Sequence, residues 1–133
     1  MPSVVADTHA VIWYLLNSPR LSRQAHRTLE TALVDGLGIH VSSITLVETI
    51  YLVEKRRLPA HALQRIENAL RKPDSGLIEV PVDSLVADAL KAVPRELVPD
   101  MPDRIIAATA LHLKLPLVTR DRRLQAAAVR TIW

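Results

Sequence analysis

Short apolar runs of β-forming residues alternate with stretches of helical periodicity along the whole chain, and this alternation most constrains its fold. Ser3-Val4-Val5-Ala6 predicts a strand, and residues 9–16 predict a helix that Asn17-Ser18-Pro19 breaks. Ser22 suits the N-cap of a helix over residues 23–35, with Gly36 as its stop. A second strand is expected over residues 39–42, followed by a helix over 45–57. Pro59 separates that helix from one over 60–71, whose Leu63, Ile66 and Leu70 lie at helical spacing. Residues 77–80 predict a third strand, and Ser84 opens a short helix to residue 92. After a loop over 94–99, Pro102 fits the first turn of a helix running to Lys114. Residues 116–119 predict a fourth strand, 121–127 a short helix, and 129–132 a last strand.

Strands alternating with helices imply an α/β fold with a mostly parallel central sheet covered on both faces. At 133 residues the chain fits one domain, 1–133. A domain of this size buries roughly two thirds of its unfolded surface, enough for a core. The absence of Cys excludes disulfide scaffolds, thiolate zinc sites, iron–sulfur clusters and a catalytic thiol. With three Gly, no glycine-rich phosphate loop can be written. At 49% hydrophobic and 23% charged residues, disorder is excluded. No apolar run approaches the ~20 residues of a membrane span, and Met1 to Asp7 do not form a signal peptide. A cytoplasmic location without a membrane partner is therefore expected. The net charge of +3 alone does not declare a nucleic-acid binder.

In such folds ligands gather outside the carboxyl ends of the strands. Four acids point there. Asp7 directly follows the first strand, and Asp121 follows the fourth through Thr119-Arg120, so that strand, hydroxyl residue, acid and helix recur together. Glu48 lies in Ile44-Thr45-Leu46-Val47-Glu48-Thr49-Ile50-Tyr51-Leu52-Val53, which is apolar nearly all round and so predicts a largely buried helix. Asp103 lies in the first turn of Met101-Pro102-Asp103-Arg104-Ile105-Ile106-Ala107-Ala108-Thr109, where Asp100 is free to act as cap. Each acid also has an ordinary structural use. Asp7 and Asp121 suit N-caps, and Thr45-x-x-Glu48 satisfies a capping box. If the four converge, they cannot share a site as free anions, because mutual repulsion would protonate some of them. Divalent cations resolve that conflict, and an oxygen-only ligand set selects Mg²⁺ or Mn²⁺ over zinc. Such ions polarise phosphoryl oxygens and activate water, so the chemistry suggested is metal-dependent phosphodiester hydrolysis.

The blocks Asp7-Thr8-His9-Ala10-Val11-Ile12-Trp13, Ser42-Ser43-Ile44-Thr45-Leu46-Val47-Glu48, Pro102-Asp103-Arg104-Ile105-Ile106-Ala107-Ala108-Thr109-Ala110 and Leu117-Val118-Thr119-Arg120-Asp121-Arg122 resemble, in order, the motifs of PIN-domain ribonucleases. The match is best with the VapC-type toxins of prokaryotic toxin–antitoxin modules, and it spans nearly the whole chain. The resemblance implies an α/β/α sandwich that binds Mg²⁺ or Mn²⁺ and cuts RNA endonucleolytically, with RNA of the tRNA or rRNA class as substrate. It assigns Asp7, Glu48, Asp103 and Asp121 as the catalytic, metal-holding acids. Thr8 and Thr119 fall at hydroxyl positions that order the metal site, and Asp100 at an accessory acid. A homodimer and a cognate VapB-like antitoxin that blocks the site are also implied.

RNA requires cationic contacts to its phosphates. Lys55-Arg56-Arg57 and Arg71-Lys72 also suit helix ends, where the dipole favours them. Arg120, Arg122 and Arg123 flank a proposed ligand and are the better candidates, while Arg104 is a candidate for either an RNA contact or a pair with a site carboxylate. The aromatics Trp13, Tyr14, Tyr51 and Trp133 are too few for the stacking platforms of general single-strand binders. Trp13 and Tyr14 are expected to pack. The five His show no metal-ligand spacing, and His9, close to Asp7, is left between a surface role and a water or substrate contact. Two other readings are open. A receiver-like signalling domain is also doubly wound, but it expects a Lys where Thr119-Arg120-Asp121 stands and leaves Glu48 without a purpose. A non-catalytic PIN-like RNA-binding protein is disfavoured by the intact acid set. Setting the four acids aside as a metal-neutralised cluster leaves 17 basic residues against 10 acidic ones for the remaining surface, instead of 17 against 14.

Overall fold

The computed structural model describes residues 3–133. Met1 and Pro2, the first residues of the segment read as lacking a signal peptide, lie outside the described residues. The strands are β1 (Val4–Ala6), β2 (Ile39–Ser42), β3 (Leu77–Val80), β4 (Leu117–Val118) and β5 (Thr131–Ile132). The helices are α1 (Thr8–Leu15), α2 (Arg23–Val34), α3 (Ile44–Glu54), α4 (Ala60–Arg71), α5 (Ser84–Ala89) and α6 (Met101–Leu113), with 3₁₀ segments at Leu90–Ala92 and Arg122–Ala127. All pairings are parallel, in the order β3-β2-β1-β4-β5. A receiver-type sheet runs 2-1-3-4-5, so the signalling alternative fails on topology.

Alternation along the central strand divides the core. Val4 and Ala6 face one layer and Val5 the other, as a period of two requires. The first layer packs Ile12 of α1, Leu29 of α2 and Ile66 of α4 against Val4, Ile39 and Val118. The second packs Val86 of α5 and Ile106, Ala107 and Ala110 of α6 against Val5 and Leu117. The small residues of α6 bring its backbone close to the sheet. Helix ends follow local chemistry. Ser22 accepts from the Ala25 amide to start α2, and Gly36 takes φ +71° just past its end. Among the described residues no helix is long and apolar enough to cross a membrane.

Two expectations need correction. α3 is not largely buried: only Thr45 and Thr49 are buried, while Val47, Ile50 and Tyr51 are exposed at 48%, 39% and 59%. Its apolar circumference exceeds what the sheet edge covers. The expected helix over 121–127 is a 3₁₀ segment, tightened where Asp121 Oδ1 accepts from the Arg123 amide two residues on, at 3.0 Å.

Candidate active site

β1 and β4 are neighbours, although the chain leaves β1 toward β2 on its other side. A crevice therefore opens between their carboxyl ends, the usual ligand position in such sheets. Asp7 follows β1 there and Asp121 follows β4. α3, starting one residue after β2, carries Glu48, and the N-terminus of α6 carries Asp103. All four, with Asp100, line one cavity of about 310 Å³ that also takes in Thr8, His9, Trp13, Arg120 and Trp133.

The capping roles and the convergence coexist. Asp7 Oδ1 accepts from the Ala10 amide at 2.8 Å, and its Oδ2 accepts from the Thr119 hydroxyl. Both oxygens are thus fixed, one by its own helix and one by β4. Thr119 in turn accepts from the Asp121 amide at 3.1 Å, so one hydroxyl orients two acids. Asp100 caps α6 by accepting from the Asp103 amide at 3.1 Å, leaving the Asp103 carboxyl free to face the cavity. Glu48 departs from its expected structural use. Thr45 lies inside α3, so there is no capping box. Glu48 Oε1 accepts from the Thr8 hydroxyl at 2.5 Å. That commits the only proton of Thr8, so in the 3.0 Å contact between Thr45 and Thr8 the Thr45 hydroxyl donates.

Crowding shows in the acidities. Burial raises the pKa of Asp7 against the opposing bonds from Thr119 and Ala10. Burial likewise raises Glu48, opposed by the Thr8 bond and reinforced by the charges of Asp100 and Asp7. Asp103 is pushed up to about 7 by burial, then by Asp100, Glu48, Asp121 and Asp7. Asp121 alone is lowered, chiefly by its hydrogen bonds from Arg123. Arg123 Nη2 and Nε reach Asp121 at 2.8 and 3.1 Å, and Nη2 lies 3.7 Å from Asp103.

Among the described residues no trio of His, Asp or Glu side chains is already disposed to hold a metal ion; Arg123 bridges two of the acids instead. The donor set nevertheless fits a hard divalent cation. It consists of carboxylate oxygens on the walls of one cavity, and Asp7, Glu48 and Asp103 are destabilised as anions first by burial and then by one another.

The basic candidates separate. Arg104 turns away from the site: its Nε and Nη2 donate to the carbonyls of Val93 and Leu90 at 2.8 and 3.1 Å, tying the 3₁₀ segment before α6 to that helix. Among the described residues it forms no ion pair with a site acid, and these two bonds commit its guanidinium to the fold. Arg123 is exposed but held by Asp121. Arg120 lies 5.0 Å over the Trp13 ring, in the cavity wall. Trp13 is buried as expected, with His9 tilted against it at 5.4 Å and Trp133 edge-on at 6.0 Å. Trp133 had no local signal marking it as a site residue. It reaches the cavity only because β5 pairs with β4.

The PIN domain model matches residues 4–130. The chain is 31% identical to Ribonuclease VapC22 of Mycobacterium tuberculosis (strain ATCC 25618 / H37Rv) over 95% of this chain and 92% of that protein. Among solved structures it is similar to the DNA-bound VapBC from Salmonella typhimurium, at TM-score 0.71 and 25% identity, covering 98% of this chain and 97% of that one. The fold is also that of VapBC2 from Rickettsia felis bound to a promoter DNA fragment, at TM-score 0.72 and 18% identity, covering 97% and 96%.

Proposed function

The chain belongs to the PIN-domain family, among its VapC-type ribonucleases, and on that premise we propose that it is a Mg²⁺- or Mn²⁺-dependent endoribonuclease toxin restrained by a VapB-like antitoxin. The observation that carries the reading is the convergence of Asp7, Glu48, Asp103 and Asp121 on one cavity at the β1–β4 crevice. These four would hold the metal. When bound, a divalent cation polarises a phosphoryl oxygen and makes water nucleophilic near neutral pH. The chain's own residues prepare for that. Thr119 and the Ala10 amide hold the Asp7 carboxylate in one orientation, and Thr8 does the same for Glu48. Asp103, its pKa pushed up to about 7 chiefly by burial and then by its acidic neighbours, would serve as a ligand in its ionised form, and Arg123 is the cation beside it in the chain itself. Asp100 adds negative charge at the rim. Arg120 and Arg122 are available to RNA phosphates of the tRNA or rRNA class.

The same reading makes residues 1–133 a single cytoplasmic PIN domain that pairs with a second copy. The exposed Val47, Ile50 and Tyr51 stripe on α3 supports association, since contiguous exposed apolar surface marks interfaces.

Asp7→Asn tests the enzyme directly. Asn caps helices as well as Asp, so α1 should stay intact while the anionic ligand is lost. Antitoxin-free wild type should cut tRNA or rRNA with Mg²⁺ or Mn²⁺, and the variant or a chelator should abolish cutting. A wild type that binds but cuts no RNA in a broad panel makes this a non-catalytic RNA-binding member.

A further inference from the structure

Beside the acid cavity lies a second one, of about 690 Å³, and the two share a wall of Arg120, Asp121 and Trp133. We propose that this second cavity seats the nucleotide flanking the scissile phosphate, with the amides of Gln24 and Gln125 reading its base. The inference rests on the nuclease reading above and adds a specificity site to it.

The two cavities have opposite chemistry. The first is lined by five acids, whereas Asp121 is the only acid lining the second. The rest of its polar wall is made of Arg120, Arg122, Gln24 and Gln125 with the hydroxyls of Thr119 and Thr131, and Thr119 is already bonded to Asp7 and Asp121. Among the described residues neither Arg120 nor Arg122 enters an ion pair, in contrast to Arg123. Both guanidinium groups therefore remain available to phosphate, the contact that supplies most RNA affinity. Arg120 is held by its seat over Trp13, which Trp133 braces edge-on. A cation and a half-buried aromatic face thus stand at the divide between the cavities.

A nucleotide chain meeting this surface is oriented by charge. Its phosphate belongs at the shared wall beside Arg120, and its base in the basic, amide-lined side. The volume falls within the range of small-molecule sites. Single-stranded RNA is read by laying splayed bases on aromatic or guanidinium planes and hydrogen-bonding their edges. A Gln side chain carries two donors and an acceptor, which can pair bidentately with a base edge. Gln24, near the start of α2, and Gln125, in the 3₁₀ segment after β4, are both exposed, so neither is committed to packing.

The test uses short labelled oligoribonucleotides of A, C, G or U in metal-free buffer, with binding read by fluorescence anisotropy. The wild type should prefer one base by roughly tenfold. Gln24→Ala with Gln125→Ala should collapse that preference, with thermal unfolding confirming the fold. Arg122→Gln should weaken all four oligomers alike and lower the salt slope by about one. Trp133→Leu should weaken binding, and Trp133→Phe should restore it. A wild type without base preference, or a double variant that keeps the wild-type ranking, overturns the assignment. Mapping cut sites with Mg²⁺ separates the two claims. If the wild type cuts RNA and the double variant cuts at the same sequences, the cavity assignment fails and the nuclease stands. If base preference depends on the glutamines but no RNA is cut, the nuclease fails and the cavity stands.

Discussion

Asp7 shows how one residue serves helix and site together. An N-cap needs a single acceptor oxygen, and the other is free for work elsewhere; here Thr119 fixes it. Asp103 is the opposite case, a carboxyl whose amide is capped by a neighbour while its side chain carries the strain of the cluster. Its pKa rises from 3.8 to about 7 on folding. Between those values the folded protein holds a proton that the unfolded chain has released. Stability contributed by the protonated form is therefore lost as pH rises through that window. The metal-free protein should show a Tm that falls from about pH 4 to 7, and Asp103→Asn should flatten that fall. Calorimetry at several pH values checks it; an equal slope in the variant would place the strain elsewhere. Saturating Mg²⁺ should shrink the slope, because bound cation favours the ionised carboxyl.

At the scale of elements, strand and helix positions were readable because apolar period and cap chemistry agreed, as at Ser22 with Gly36 and Asp100 with Pro102. What periodicity does not contain is the partner of a face. α3 reads as a buried helix, yet its apolar stripe lies open. Thr45-x-x-Glu48 reads as a cap, yet the chain enters the helix earlier and the glutamate bonds across to Thr8. Arg104 stands beside a site acid in sequence, but on a helix adjacent residues point about 100° apart, and it serves the fold instead. Arg104→Gln removes donors to the Leu90 and Val93 carbonyls and should cost about 1–3 kcal/mol of stability in urea unfolding. RNA affinity should stay unchanged in the same variant, and a selective loss of affinity would return Arg104 to the RNA surface.

For the whole molecule, the sheet order decides function. Placing β4 beside β1 brings Asp121 to Asp7 across more than a hundred residues of chain and puts Trp133 within reach of both. Association is the other property of this scale. Tyr51→Glu, alone or with Val47→Glu, should convert the proposed dimer to monomer in light scattering while circular dichroism shows the monomer fold intact, since both residues are exposed on the single chain. A wild type already monomeric at working concentration would remove the dimer from the proposal. The sequence by itself determined the α/β class, the exclusion of thiol and glycine-loop chemistry, and the four acids with their hydroxyl neighbours. Each of those is written in local spacing, capping chemistry or residue type. Tertiary structure alone decided that Thr8 serves Glu48, that Arg123 and Arg104 are engaged by the fold, and that a basic cavity adjoins the acidic one. Those contacts join residues far apart in the chain, and no local pattern records which surfaces the sheet brings together.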